Sequence, residues 1–348
     1  MRKKVTLKDI ATKMGVTPST VSKALRGSTD ISNEMQEKVK RVSEELGYRP
    51  NLLAKSLINR KSGIIGVLIP DLRISFFSEA ARGIYENATE KGYETILLVH
   101  DEKPENERKK LEFLSDINAD GILLNAVDET TNLDFYNQLQ KEGMKIVCWD
   151  RKIENANFNS VTINDNLAAY ELTNKFIQAG RRKIMFIGPH NGIPVARHRF
   201  EGYLKALNEN HINVDEKLIL ETGLTFENAH NILYEAIQKG VDFDAIICVG
   251  GLVAYGAANA LLESKLRIPD DVILGEFGDN KIILTLGIPF YSVKQNPYHI
   301  GTASVDLLIQ CLNDNTHCME AKNIEIGHEI VYRNLGVQRV SQPSEQLI

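Results

Sequence analysis

From Ile64 onward the chain alternates short apolar runs with stretches of helical periodicity, and that rhythm constrains its fold more than any other feature. IIGVLI, ETILLV, GILLN and KIVCW are separated by helical patterns over about 76–91, 104–118 and 131–143. Largely apolar strands must be covered on both faces, which indicates a parallel sheet flanked by helices. A second series follows, in which KIMFIG, AIICVG and VILGEF alternate with helical patterns over about 166–179, 196–208, 227–239 and 254–265. The expected architecture is α/β, with two doubly wound parallel-sheet lobes. Such lobes hold ligands at the carboxyl ends of their strands and close around the cleft between them.

The segment before the first lobe has a different chemistry. Residues 1–60 hold 13 Lys and Arg against 6 Asp and Glu, although the whole chain carries −5. A basic block on an acidic body is an electrostatic footprint of nucleic-acid binding, because Lys and Arg displace counterions from phosphate. Thr6 can cap a helix running to about Met14, with Gly15 just past its end. Thr17 can cap a second, with Pro18 at its first position and Gly27 beyond Leu25. Leu7, Ile10, Ala11, Met14, Val16, Val21, Ala24 and Leu25 would meet between them, small Ala11 allowing close approach, which is the helix-turn-helix pattern. Ser32 can cap a third helix, with Val39, Val42 and Leu46 inward and Gly47 at its end.

On the second helix Ser19 and Lys23 share one face, and Ser22 and Arg26 the next. Pro18 and Ser19 lie at its amino end, where such helices meet base edges in the major groove. An ordinary three-helix bundle with a polar surface is the bland alternative. Residues 51–59, NLLAKSLIN, read as one short amphipathic helix followed by the polar link Arg60-Lys61-Ser62-Gly63. A helix this short is marginal alone in water, so it is expected to order only against a partner.

VTLKDIATKMGVTPSTVSKALRG, then DIS and LGYRPNLLAKSL, resemble the DNA-binding head of the lactose-repressor (LacI/GalR) family. The similarity continues through IIGVLIPD, FFSEAARGI, GYETILLV, ADGILL, WDR, IND, RKIMFIG and RHRFEGYLKAL, and covers nearly the whole chain. The resemblance implies a sequence-specific transcriptional regulator, a repressor, that binds a palindromic double-stranded DNA operator as a homodimer. It places Pro18, Ser19 and Lys23 where base-reading residues lie. Thr6, Thr20, Ser22, Arg26, Tyr48 and Asn51 fall where the DNA backbone is held. Arg26 stands where Asn is common and Gln36 where Arg is common, so one phosphate contact is expected to be gained and another lost. Leu57 occupies the position of a leucine that wedges into the minor groove, with Ala54 and Lys55 beside it.

The same resemblance implies a headpiece over 1–50, a hinge helix and linker over 51–63, and a first lobe over 64–163 plus 294–327. The second lobe then covers 164–293 plus 328–341, the chain crossing between lobes near 161–165, 292–295 and 326–331. Phe76, Phe77, Asp150, Arg197, Arg199, Glu276, Phe277 and Asp279 are placed at an effector cleft. Phe76 and Phe77 can stack on a ligand ring, or one of them can pack in the core. Arg199 offers a planar fork of donors suited to two oxygens at once. Gly250-Gly251 stands where an Asn-Asp pair is usual, and Gly275-Glu276-Phe277-Gly278-Asp279 where the family reads G-aromatic-Asp-Asp. Acceptors for sugar hydroxyls are thus missing or displaced: either Glu276 and Asp279 substitute for them, or the effector is not an ordinary neutral sugar. Keeping guanidinium donors while losing acceptors favours a carboxylate or phosphate on the ligand. The expected effector is a sugar or sugar acid, anionic in preference to neutral.

Other classes fit less well. An enzyme on a dinucleotide fold would need GxGxxG or GxxxxGK[ST] after a strand, and neither is present. The histidines form no metal-ligand pair at helical spacing and no nucleophile set, so no catalytic residue, metal or cofactor is expected. A periplasmic-type sugar receptor without a DNA role shares the two-lobed core, but the basic head and the lack of an export signal argue against it. A regulator controlled by a partner protein instead of a small effector is a further alternative. Cys148, Cys248, Cys311 and Cys318 show no metal or redox spacing and read as reduced thiols. With no membrane-length apolar segment, a cytoplasmic location is expected.

Overall fold

The computed structural model describes residues 5–48, 61–127, 131–153, 156–191, 193–278, 281–314 and 321–334. It divides into two compact units, Met1–Ser62 and Gly63–Ile348. The first unit holds α1 (Leu7–Met14), α2 (Pro18–Leu25) and α3 (Asn33–Leu46). Each begins where a side-chain oxygen satisfies an orphan backbone donor: Thr6 accepts from Asp9 N, Thr17 from Thr20 N and Ser32 from Met35 N. Gly15 and Gly47 stop α1 and α3 in the left-handed region, at φ 65° and 68°. Ile10, Ala11, Val21, Ala24 and Val39 form the buried centre, with Leu7, Met14, Val16, Leu25, Val42 and Leu46 around it.

The second unit contains two six-stranded sheets. The first is built from β1 (Ile64–Ile69), β2 (Glu94–Val99), β3 (Gly121–Leu124), β4 (Lys145–Trp149), β5 (Asn159–Thr162) and the late β11 (Asn323–Glu325), in the order β11-β5-β4-β3-β1-β2. Every pairing in it is parallel. The second uses β6 (Ile184–Ile187), β7 (Ile219–Leu220), β8 (Ala245–Cys248), β9 (Ile273–Phe277), β10 (Phe290–Lys294) and β12 (Glu329–Arg333), in the order β12-β10-β9-β8-β6-β7. Its pairings are parallel as well, except that β12 runs antiparallel to β10 at the edge.

The two-residue alternation of strands sorts the first lobe into layers. Ile65, Val67, Ile69, Leu123, Val147 and Trp149 face α4 (Ser75–Glu90) and α12 (Pro297–Asn313). Leu68, Ile122, Leu124, Ile146 and Cys148 face α5 (Pro104–Asp116) and α6 (Leu133–Lys141). The second lobe has one continuous core that includes residues of α7 (Asp165–Gln178), α8 (Pro194–Glu209), α9 (Phe226–Gln238) and α10 (Gly251–Glu263). The short α11 (Lys281–Thr285) adds Ile283. The chain passes between sheets after β5, after β10 and after β11, which is how α12 comes to pack in the first lobe.

Helix contacts are closest where glycine removes a side chain. A Cβ on Gly83 would lie 2.3 Å from Tyr298 O, and one on Gly301 2.2 Å from Ala80 O. Because backbone cannot yield as a flexible side chain does, Gly301→Ala must push α4 and α12 apart. We expect it to lower stability by about 2 kcal/mol or more, in the range for overpacked cores. A urea midpoint unchanged from wild type would show that the helices separate freely.

Candidate functional site

In the first unit Pro18 and Ser19 lie exposed at the amino end of α2, and Lys23 sits half-exposed one turn further on. The Lys23 ammonium is 3.0 Å from Asp30 Oδ2, with both side chains open to solvent. An exposed ion pair contributes only about 0–1 kcal/mol, so phosphate or base edges compete for this lysine readily. Thr20 shares its hydroxyl with Thr17 at 2.9 Å, and the Thr6 hydroxyl donates to Asp9 Oδ2 at 2.7 Å, so both already serve the caps. Half-exposed Ser22 precedes exposed Arg26 by one turn; Arg26 Nε donates to Ser22 O at 3.2 Å, which leaves its terminal nitrogens projecting. Gln36 turns inward, donating to Ser28 O and Ile31 O at 3.1 and 2.9 Å, and so pins the turn before α3. Tyr48 is half-buried, and burial raises its hydroxyl above the usual range. Asn51, Ala54, Lys55 and Leu57 lie outside the described residues.

Within the second unit a cavity of about 170 Å³ lies between the carboxyl ends of the two sheets. The first lobe contributes Phe76 and Phe77 from the start of α4, and Asp150 and Arg151 from the end of β4. The second contributes Arg199 from α8, Gly250 and Gly251 from the start of α10, and Phe277 from the end of β9. Phe76 and Phe77 meet edge to face at 5.3 Å, and Phe77 meets Trp149 at 6.1 Å. Both rings thus belong to the core and still border the cavity.

Arg199 is 7% exposed and already engaged. Its Nε and Nη2 both stand 2.7 Å from Asp165 Oδ1, Nη1 donates to Val249 O at 2.5 Å, and the guanidinium lies 4.2 Å over the Phe277 ring. These contacts hold the guanidinium as part of the cavity wall. Burial outweighs the pull of Arg199 and holds the Asp165 carboxyl above its ordinary pKa.

The structure separates some residues that the sequence grouped. Arg197 does not border the cavity, and its Nε lies 3.8 Å from Glu201. Two positions along a helix turn a side chain by about 200°, so Arg197 and Arg199 cannot share a face. Glu276 alternates with Phe277 on β9; it is fully buried behind the wall and accepts from Ser292 Oγ at 2.5 Å. Asp279 is outside the described residues. A Cβ on Gly250, whose backbone is extended, would meet nothing within 4 Å.

Sequence reasoning missed Arg151, Leu224 and Gln295, all of which border the cavity. Arg151 and Gln295 follow strand carboxyl ends, where ligands bind in doubly wound sheets, and that position was the available signal. Arg151 forms a two-oxygen pair with Glu102 at 2.8 and 2.5 Å, and Arg73 one with Asp71 at 3.0 and 2.7 Å. All three guanidiniums at the cleft are therefore matched by carboxylates, and Ile74, Val195, Leu224, Leu252 and Val253 make much of the remaining wall. The Arg151 and Arg199 guanidiniums are buried with the carboxylates of Glu102 and Asp165, which reduces the surplus of positive charge that favoured an anionic effector.

Two buried groups beneath the first lobe's wall titrate in opposite senses. Asp150, 7% exposed and in the left-handed region at φ 63°, has its pKa pushed up to about 6 by burial and by Asp165, against Arg151, Arg199 and the Asn125 amide. His100 has its pKa pushed down to about 4 by burial, and its Nε2 lies 2.9 Å from Asn125 O. Between pH 4 and 6 folded Asp150 holds a proton that the unfolded chain releases, so its contribution to stability grows on acidification. Folded His100 lacks a proton that the unfolded chain binds, so its contribution shrinks, and the two nearly cancel. Asp150→Asn should unmask the histidine and lose about 2 kcal/mol of stability from pH 6.5 to pH 4 relative to wild type. Parallel stability curves for the two proteins would refute the raised pKa of Asp150.

Comparison with known proteins bears on both sites. Residues 62–332 match the family model described as periplasmic binding proteins and sugar binding domain of LacI family. Residues 6–51 match the model for bacterial regulatory proteins, lacI family. The chain is 29% identical over 329 residues to the HTH-type transcriptional regulator RegA of Clostridium saccharobutylicum, covering 94% of this chain and 98% of that protein. It is 27% identical over the same length to catabolite control protein A of Staphylococcus aureus, with the same coverage. Among solved structures, a lac repressor dimer bound to operator and an anti-inducer aligns with TM-score 0.83 at 22% identity, over 94% of this chain and 98% of that one. The complex of the regulator CelR with cellobiose aligns with TM-score 0.70 at 22% identity and the same coverage. At these identities the structural matches speak for the fold alone.

Proposed function

The chain belongs to the LacI family of bacterial regulatory proteins, and from that membership we propose how this DNA-binding transcriptional regulator works. Two copies bind a palindromic operator, each setting the amino end of α2 into the major groove. Pro18, Ser19 and Lys23 read base edges, while Thr20, Ser22 and Arg26 face the phosphates with Thr6, Tyr48 and Asn51 at the margin. Ala54, Lys55 and Leu57 meet the minor groove at the centre of the site. The two-lobed core takes a small, uncharged, sugar-sized effector against Phe76, Phe77, Asp150, Arg199 and Phe277. Its binding shifts the balance between open and closed lobes and so sets operator affinity. The protein acts as a repressor in the cytoplasm; no helix among the described residues is long and apolar enough to cross a membrane.

The observation that carries this reading is α2, capped by Thr17, with Ser19 and Lys23 on its open face. A matched relative named as a transcriptional regulator, and the match of residues 62–332 to a sugar binding domain, support the two halves of the proposal. The test is footprinting on the DNA upstream of the protein's own gene. Two protected half-sites about one helical turn apart are expected. A chain that protects no DNA would sink the proposal.

A further inference from the structure

We propose that Asp30 is a specificity-determining residue of the DNA-binding head, its carboxylate accepting a hydrogen bond from a cytosine amine while Lys23 beside it donates to guanine. This rests on the reading of Lys23 given above and adds to it the base chemistry of a second side chain. Asp30 lies five residues past Leu25, the end of α2, yet the chain brings it back to the same open face, where Oδ2 is 3.0 Å from Lys23 Nζ. The return is made at Gly27, whose φ is 65°. Ser28 N donates to Lys23 O at 3.1 Å and Ile31 N to Ser28 O at 3.0 Å, so the loop closes on the end of α2. Gln36 on α3 donates to Ser28 O and Ile31 O, the carbonyls that bracket Thr29 and Asp30, and Ile31 packs against the buried centre. The backbone that carries Asp30 is therefore fixed, while its side chain is 64% exposed.

Stability does not explain this placement, because an exposed ion pair adds little to it. On a face that meets DNA a carboxylate is repelled by phosphate, and that cost falls on binding to every sequence. It is offset where the carboxylate finds a donor, which the major groove supplies at cytosine N4. The neighbouring ammonium supplies donors to guanine O6 and N7. Held 3.0 Å apart, the two groups match the adjoining acceptors and donor at the edge of a G·C pair, whereas a run of phosphates presents acceptors alone. Asp30 thus weakens binding to random DNA and strengthens binding to the operator. Specificity is the difference between the two affinities, so both effects raise it.

The test selects binding sites from a library of randomised duplexes with the full-length wild type, Lys23→Ala and Asp30→Ala, then titrates each protein with the wild-type site and with random DNA. Asp30→Ala should bind random DNA about twofold or more tighter than wild type, and its preference for the selected site over random DNA should fall about tenfold. Its own selection should lose one base pair in each half-site, a G·C pair at or next to the one lost by Lys23→Ala. Asp30→Asn, which keeps an acceptor oxygen and loses the charge, should gain on random DNA equally and keep part of the base preference. Both Asp30 variants should melt with the wild type. Identical selected sites for wild type and Asp30→Ala, an A·T pair at the lost position, or weaker binding of Asp30→Ala to random DNA would overturn the proposal. A melting temperature lower by several degrees in both variants would mark the carboxylate as structural and overturn it as well. No enriched sequence for the wild type, or one unchanged in Lys23→Ala, would instead remove the recognition reading beneath it.

Discussion

Arg199→Ala is expected to abolish the effector response and to destabilise the core by about 3–5 kcal/mol, the range for removing one partner of a buried ion pair. The guanidinium makes two short contacts to Asp165 and one to Val249 O, and it covers the Phe277 ring. Its removal leaves a buried carboxyl with no cation, an unfilled carbonyl and a gap in the wall. Part of the loss is avoided when Asp165 takes up a proton, and burial already favours that state. The single mutant should therefore recover some stability as pH falls. Adding Asp165→Asn should restore stability without restoring ligand binding, and a double-mutant cycle would isolate the pair. Wild-type stability in Arg199→Ala would mean that the pair does not hold this wall together.

Operator binding carries the other large effect. Affinity should fall by about a thousandfold to a hundred-thousandfold between 50 and 200 mM salt, as it does for proteins that neutralise about 6–10 phosphates. Lys23→Ala should add to this in a different way, losing about 1–3 kcal/mol of discrimination between the operator and altered operators while affinity for random DNA changes less. The exposed contact with Asp30 offers no obstacle, since both side chains are open to water. Equal loss on specific and random DNA would place Lys23 on the phosphates instead.

Local features of the fold were legible because their causes are local. A capping oxygen and the backbone donor it satisfies lie three residues apart, so Thr6, Thr17 and Ser32 announce α1, α2 and α3 in the letters themselves. The strands announce themselves by apolar runs, and ETILLV matches β2 from end to end. Less legible were the antiparallel β12 and the two-residue β7, which are too short or too polar to show a period.

What the sequence by itself determined is the inventory: a capped, basic three-helix head, two wound lobes, and ring and guanidinium side chains near strand ends. Only the tertiary structure decided which of those groups are spent. Arg199 finds Asp165 34 positions away and Val249 50 positions away, Arg151 finds Glu102 49 away, and no periodic pattern encodes such pairings. Parity along α8 and β9 then turns Arg197 and Glu276 from the cleft, while a crossover brings the Gln295 amide to it. The physical reason is that secondary structure answers to neighbours within a turn or a pleat. The charge and hydrogen-bonding capacity left in a cleft answer to whatever the folded chain packs against each donor.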